Sequence, residues 1–342
     1  MPLDQYRLLG RSGLRVSPLA LGTMTFRAEG WGSTDEDAAQ MVDMYIDAGG
    51  NFIDTANFYG QMGGSEDLLG TLVKGRRQPL VISTKYSLTT RPGDPNNAGN
   101  HRKSMVQAVE DSLRRLQTDY IDLLYLHMWD YRTPVEEILR AFDDLIRSGK
   151  VLYAGLSDVP AWQASRMQAI ADLRGWSPFC ALQISYSLIE RTVERELIPM
   201  AREMGMGVSP WSPLGGGVLS GKYGRGEASP RKEMNTATGR LSERSLEIAS
   251  VVCAVADEIG CTPAQVALAW TMQDSVVTSP VLGVRTPTQL EDNLSALDVT
   301  FSADQIAQLD AVSKVPLGFP HETLQGPFMA TAFGGVKVEK RG

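Results

Sequence analysis

Hydrophobic positions along the chain alternate between two kinds of run. Short continuous runs rich in Val, Ile and Leu read as buried strands, and longer ones space their apolar residues by three and four, as amphipathic helices do. Residues 35–48 show the second kind clearly: Ala38, Met41, Val42, Tyr45 and Ile46 fall on one helical face. Ser33-Thr34-Asp35 precedes them as an N-cap region, and Gly49-Gly50 ends them. Ahead of this unit, 6–9 and 14–16 flank Gly10-Arg11-Ser12-Gly13 and predict a hairpin.

From Pro18-Leu19-Ala20-Leu21-Gly22 onward the alternation is regular. Further strands are expected at 52–54, 80–85, 121–127, 152–156, 180–184, 207–209 and 277–282. Helical patterns separate them near 66–72, 103–116, 134–148, 160–174 and 192–203, with a pair at 241–259 and 263–272. Strand and helix in strict alternation require right-handed crossovers and a parallel sheet. Eight such units favour a closed (β/α)8 TIM barrel over an open doubly wound sheet. No Pro/Gly/Ser-rich linker divides the chain, so 1–342 reads as one domain: hairpin 6–16, barrel about 18–314, irregular tail 315–342. Two excursions, 86–100 and 215–239, are rich in Gly, Pro, Asn and Ser and are expected as extended loops over the C-terminal face.

Composition narrows the partners. A pI near 5.2 and a formal charge of −7 argue against a general nucleic-acid binder and against an anionic membrane surface. Cys180, Cys253 and Cys261 are odd in number and lack metal-ligand spacing, which suits a reduced cytoplasmic compartment and no metal. The start Met1-Pro2-Leu3-Asp4-Gln5 resembles no signal peptide, and no apolar run approaches the ~20 residues a membrane span needs.

Chemistry collects at the strand ends, the face where α/β barrels build their sites. The second strand ends in Asp54 and is followed by Tyr59, the third closes on Lys85, and the fourth runs into His127, one of only three histidines. Taken singly, each has a bland reading as a hydrogen-bonded tyrosine, a solvated strand terminus or a core histidine. Together on one face of one barrel they suit carbonyl reduction, where negative charge develops on the substrate oxygen. A free tyrosine titrates near 10. A lysine ammonium at ~4 Å offers about 4 kcal/mol toward the phenolate at an effective dielectric of about 20, so Lys85 is expected to lower the Tyr59 pKa. Asp54 would hold Lys85 charged, and His127 would orient the carbonyl without titrating.

These residues and their order resemble the aldo-keto reductase family across roughly Leu8 to Asp310. Gly22-Thr23-Met24-Thr25-Phe26 is similar to the family's first strand end, Asp54-Thr55-Ala56 with Tyr59-Gly60 to its second, and Lys85 and His127 complete its tetrad. Gly155-Leu156-Ser157 after Gly149-Lys150-Val151, then Gln183, Trp211-Ser212-Pro213-Leu214-Gly215, and Gly283-Val284-Arg285-Thr286-Pro287 running on to Gln289, Asp292 and Asn293, resemble its cofactor-binding stretches. The resemblance implies NADP(H), with NAD(H) as the alternative, bound across the barrel top without a Rossmann domain. On that reading Ser157, Asp158 and Gln183 meet the nicotinamide carboxamide and Trp211 stacks on its ring. Ser212 to Lys222, through Gly215 and Gly217, bring backbone N–H groups and one charge to the pyrophosphate. Arg285 meets a 2′-phosphate at a helix start.

Two positions depart from the family pattern. Asp158 stands where many members have asparagine, and Gly283 where many NADPH-preferring members have lysine, which leaves Arg285 as the main phosphate anchor. Phe26, Trp31, Tyr86, Met128 and Trp129 are the candidate substrate contacts, with Phe58 and the tail's phenylalanines beside them. The expected activity is hydride transfer between NADP(H) and a small-molecule aldehyde, ketone, sugar or secondary alcohol. Two other classes stay open: a barrel lyase with Lys85 as Schiff-base former, in which Tyr59 and 211–217 have no role, and an NADP(H)-sensing subunit like those of potassium channels.

Overall fold

The alternation is realised as a ring of parallel strands. A computed structural model describes residues 3–224 and 231–336. Strands β1 (Arg7–Leu8) and β2 (Arg15–Val16) form the predicted antiparallel hairpin. The barrel follows with β3 (Ala20–Gly22), β4 (Phe52–Asp54), β5 (Val81–Tyr86), β6 (Ile121–Leu126), β7 (Val151–Ser157), β8 (Phe179–Ser185), β9 (Gly207–Trp211) and β10 (Val281–Leu282). They run parallel in the order β10-β3-β4-β5-β6-β7-β8-β9. A lone parallel bridge between Val208 and Val277 joins the two ends and closes the (β/α)8 barrel.

Side chains alternate across a strand, so register decides which residues share the interior. Leu9 and Val16 of the hairpin pack with Ala20, Phe52, Val81, Leu123, Ala181 and Val281 in one apolar cluster that fills the N-terminal end. Two residues further along, the same inward positions are Asp54, Ser83, Tyr125 and Gln183, and Lys85 follows. The interior therefore changes from apolar to polar toward the C-terminal face. The outward residues, among them Ile53, Ile82, Leu124, Leu156, Leu182 and Val208, pack against the surrounding helices.

Helix boundaries follow local chemistry. Thr34 caps Asp35–Asp47 by accepting from the Asp37 amide, and Ser242, Thr262 and Ser302 start their helices with reciprocal capping boxes. The strand expected at 277–282 shrinks to Val281–Leu282, because Pro280 has no N–H to give the ladder. The helix expected from Thr192 breaks into a short 3₁₀ turn, Thr192–Glu194, and the helix Leu197–Met204.

The two excursions and the tail carry more order than their composition suggests. In the longer excursion a helix, Lys232–Ala237, is held down by buried Asn235, whose side-chain amide donates to the Gly216 carbonyl at 3.1 Å. Residues 225–230 of it lie outside the described residues. The tail is not irregular throughout: it forms the short helices His321–Gln325 and Phe328–Ala332, and 337–342 lie outside the described residues. Arg195 donates to the Pro316 carbonyl and His321 meets Glu196 at 2.9 Å, anchoring the tail beside Leu197–Met204. Among the described residues no single helix is long and apolar enough to cross a membrane.

Candidate active site

Asp54, Tyr59, Lys85 and His127 converge at the C-terminal mouth of the barrel. Asp54 and Lys85 are buried at 2% and 1% exposure, and Lys85 Nζ donates to Asp54 Oδ2 at 2.6 Å and to the Thr55 carbonyl at 2.8 Å. The other Asp54 oxygen accepts from the Ser83 hydroxyl at 2.7 Å and from Gln183 Nε2 at 2.9 Å. Three donors thus surround the enclosed carboxylate, the Thr55 carbonyl accepts from its lysine, and the ion pair is well supported. The Tyr59 ring lies 5.0 Å from Lys85 Nζ and edge-on to the His127 ring, with 5.9 Å between centroids.

Tyr59 is placed by an unusual piece of backbone. After it, Gly60, Gln61, Met62 and Gly63 all take positive φ (65°, 59°, 66° and 118°), a left-handed turn that precedes the right-handed run to Leu72. Left-handed backbone costs about 1–2 kcal/mol per non-glycine residue, so packing must impose it at Gln61 and Met62. The glycines show how: a Cβ at Gly60 would come within 2.7 Å of the Phe26 carbonyl, and one at Gly63 within 2.7 Å of the Arg115 side chain. Arg115 is itself held at 2.7 Å by Glu66, which is fully buried and also accepts from Thr84, the neighbour of Lys85, at 2.5 Å.

The electrostatics differ in one respect from expectation. Burial raises the Tyr59 pKa, and although Lys85 pulls it down, burial together with Asp54 wins. The phenol is therefore a firmly protonated donor, with the lysine beside it to receive the charge left behind. Lys85 is costly to bury, but Asp54 and Tyr59 raise its pKa and keep it an ammonium. Burial, with Lys85 adding to it, depresses His127 to about 3, so its imidazole is neutral. Its Nδ1 is enclosed without a hydrogen-bond partner among the described residues.

The expected cofactor side is partly redrawn. Asp158 and Trp211 are tied to each other, Trp211 Nε1 donating to Asp158 Oδ1 at 3.1 Å, and Asp158 takes the left-handed φ (48°) that Asp tolerates. Burial raises the Asp158 pKa against the pull of Trp211 and Lys85. Ser157 is buried at the end of β7, across the register from Gln183. Thr23 bonds the Asp54 carbonyl, Met24 is exposed, and a Cβ at Gly22 would collide with Val281.

In the run after Trp211 three successive amides are engaged within the chain. The Gly215 and Gly216 amides donate to Ser212, that of Gly217 to the Leu214 carbonyl, and Pro213 is buried. The glycines are there because their φ values are left-handed and because Cβ atoms at 215 and 216 would strike Ile189 and Asn235. Lys222 closes over this turn, its Nζ 2.7 Å from where a Gly217 Cβ would sit.

Arg285 opens the next helix, its amide bonded to Gln289 Oε1 at 3.0 Å, while Gly283 is exposed with open space around it. Two arginines that the sequence reading missed join it. Arg231 stacks on Trp31 at 4.5 Å and Arg240 on Trp211 at 5.5 Å, and the charges of Arg240 and Arg285 add to burial in lowering the Arg231 pKa. Asp292 is instead occupied with Thr262 and Gln265, and Asn293 is buried.

Of the candidate substrate contacts, Phe26, Tyr86 and Trp129 are buried in the hydrophobic clusters. Tyr86 points outward from the barrel, edge-on to Phe142, and bonds the Asn100 carbonyl, so it lines no opening. Trp31 is covered by Arg231. Met128 is exposed, and Phe58, Met62 and Tyr131 join it as apolar groups flanking Tyr59 and His127 in the chain.

Comparison with known proteins agrees with this arrangement. The model of the aldo/keto reductase family matches residues 18–314. The norsolorinic acid reductase stcV of Emericella nidulans is 40% identical over 331 residues, covering 93% of this chain and 84% of its own. The oxidoreductase YrpG of Bacillus subtilis is 39% identical over 324 residues (92% and 97%). An NADP(+) aryl-alcohol dehydrogenase of Phanerodontia chrysosporium is 35% identical over 335 residues (90% and 86%). The eight-stranded barrel, its mouth and these matches together make the chain a member of the aldo-keto reductase family and an oxidoreductase.

Proposed function

We propose that the protein transfers hydride between NADP(H) and an aromatic aldehyde, ketone or alcohol, with Tyr59 as general acid and base. The carrying observation is a protonated phenol beside a buried, ion-paired ammonium and a neutral imidazole at one barrel mouth. The bound nicotinamide supplies or accepts the hydride. As negative charge builds on the substrate oxygen, Tyr59 delivers its phenolic proton and Lys85 stabilises the phenolate that remains. Asp54 keeps Lys85 charged and in place. His127 donates from Nε2 to the same oxygen and fixes its direction, and in oxidation Tyr59 takes the proton back.

The residues present suit this cofactor. An ionised carboxylate only accepts, so Asp54 turns the Gln183 amide nitrogen toward itself and leaves the Gln183 oxygen to accept elsewhere. That oxygen, the second oxygen of Asp158 and the Ser157 hydroxyl offer two acceptors and a donor, the complement of a carboxamide. The charges of Arg240 and Arg285 both bear on Arg231, and a phosphate anion among the three would relieve that repulsion.

The aromatic preference rests on the exposed Phe58, Met128 and Tyr131 and on the names of the relatives. A Schiff-base role for Lys85 fits poorly, since its nitrogen is charged and spent on Asp54 and Thr55. An odd number of cysteines without metal-ligand spacing favours the cytoplasm as its location. The test is NADPH consumption with substituted benzaldehydes against aliphatic aldehydes and sugars, repeated with Tyr59→Phe. The variant should lose at least ~10²-fold in turnover and keep its NADPH affinity, and full activity would refute the assignment.

A further inference from the structure

Two aromatic rings lie close to the Lys85 ammonium. Tyr59 lies 5.0 Å from its nitrogen, and Tyr125, its register partner on β6, lies 5.9 Å away inside the barrel. No step of the proposed reaction uses Tyr125. We propose that Tyr125 is a positioning residue whose ring packs beside the Lys85 ammonium from β6 and keeps it against Tyr59; this rests on the reading of Tyr59 and Lys85 given above.

Three observations carry it. Lys85 hangs on a flexible four-carbon stem, and its hydrogen bonds to Asp54 and Thr55, both from β4 and the loop after it, leave its flank toward β6 to be filled by packing. Tyr125 fills it immovably, because it is fully buried and packs in the same cluster as Leu9 and Val16 of the hairpin. The barrel also makes room for the ring: a Cβ on Gly155 of β7 would stand 2.5 Å from both Cδ1 and Cε1 of Tyr125. Tyr125 and Gly155 are thus a matched pair.

The ring face, not the hydroxyl, performs the task. The hydroxyl is enclosed; the Ser209 and Gln183 side chains lie near enough to ease its ionisation, but neither meets it in full hydrogen-bond geometry. Burial pushes its ionisation well above the usual tyrosine range, so the ring stays neutral and never competes with Tyr59 for the ammonium. A neutral aromatic face attracts an ammonium, the more so where water is excluded.

The experiment compares Tyr125→Phe and Tyr125→Leu in the full chain, by turnover, NADPH affinity and melting temperature, with Tyr59→Phe as control. Tyr125→Phe should stay within about twofold of the parent in kcat. Tyr125→Leu should lower kcat about 5- to 30-fold, the equivalent of ~1–2 kcal/mol of lost cation–π attraction, with NADPH affinity and KM nearly unchanged. A folded Tyr125→Leu protein at full kcat overturns the proposal, and so does an equal loss in both variants, which would point to the hydroxyl. If the leucine variant does not fold, Tyr125→Met is held to the same criteria. Full activity of Tyr59→Phe with a loss in Tyr125→Leu would instead refute the underlying reading of Tyr59, and the positioning role with it.

Discussion

Removing Lys85 should cost more stability than removing the whole ion pair. In Lys85→Met, Asp54 keeps Ser83 and Gln183 on Oδ1 but loses the donor to Oδ2, at a position only 2% exposed. At 2.6 Å the attraction is about 6 kcal/mol for an effective dielectric of about 20, and burying the two ions consumes much of it. Breaking such a pair leaves an uncompensated buried charge and costs ~3–5 kcal/mol, whereas an apolar replacement of both partners is close to neutral. Lys85→Met and Asp54→Leu should each lose ~3–5 kcal/mol, and the double variant should recover most of that loss. Urea unfolding of the four proteins measures it, provided the slope with denaturant stays constant. If the two single losses simply add to within ~0.5 kcal/mol in the double variant, the pair is not coupled and the reasoning fails.

Three further outcomes follow. His127 titrates near 3 in the folded protein against 6.5 ordinarily, so between those values the unfolded chain binds a proton the native state refuses. Stability should fall as pH drops through that window, by up to about 4 kcal/mol, and His127→Asn should flatten the slope in urea midpoints taken across it. Carbonyl reduction should show no limb near 6.5; a limb that vanishes in His127→Asn would contradict a neutral imidazole. Arg231→Ala and Arg285→Ala should each weaken NADPH by roughly tenfold and NADH far less, by tryptophan-fluorescence titration, and equal weakening would place both away from the 2′-phosphate. Gly63→Ala should cost ~2 kcal/mol or more, because φ of 118° excludes a side chain and Arg115 already occupies the space; an unchanged melting temperature would show the turn to be slack.

The barrel was readable because period and punctuation are local properties. Strand followed by helix repeats through the chain, and three of the four site residues sit at strand ends where any barrel would place them. What escaped depends on partners distant in sequence. That Ser83 and Gln183 share one oxygen of Asp54, or that Arg231 meets Trp31, follows from register and loop path, which no window of neighbouring residues contains. The helix around Asn235 was missed because docking on Gly216 supports it, and the left-handed turn after Tyr59 because Gln61 and Met62 have no preference for such backbone. At 215–217 the glycines serve the turn itself as well, through contacts with Ile189 and Asn235 that neighbouring residues do not reveal. For Tyr59 the sign of the pKa shift turned on burial, which outweighs the lysine that sequence alone brings to mind.

The hairpin at the far end of the barrel contributes no group to the mouth, yet it decides what medium the chemistry takes place in. With Leu9 and Val16 seated among the lowest inward side chains, the barrel below the layer of Lys85 and Asp54 is packed with buried hydrocarbon. A stopper of two very short strands therefore sets the local dielectric, and with it the reach of every charge above. Loosening it by a bulky residue at Gly10, whose Cβ would press on the Cys180 and Gly205 carbonyls, would act on catalysis from the opposite end of the molecule by letting the interior become wet.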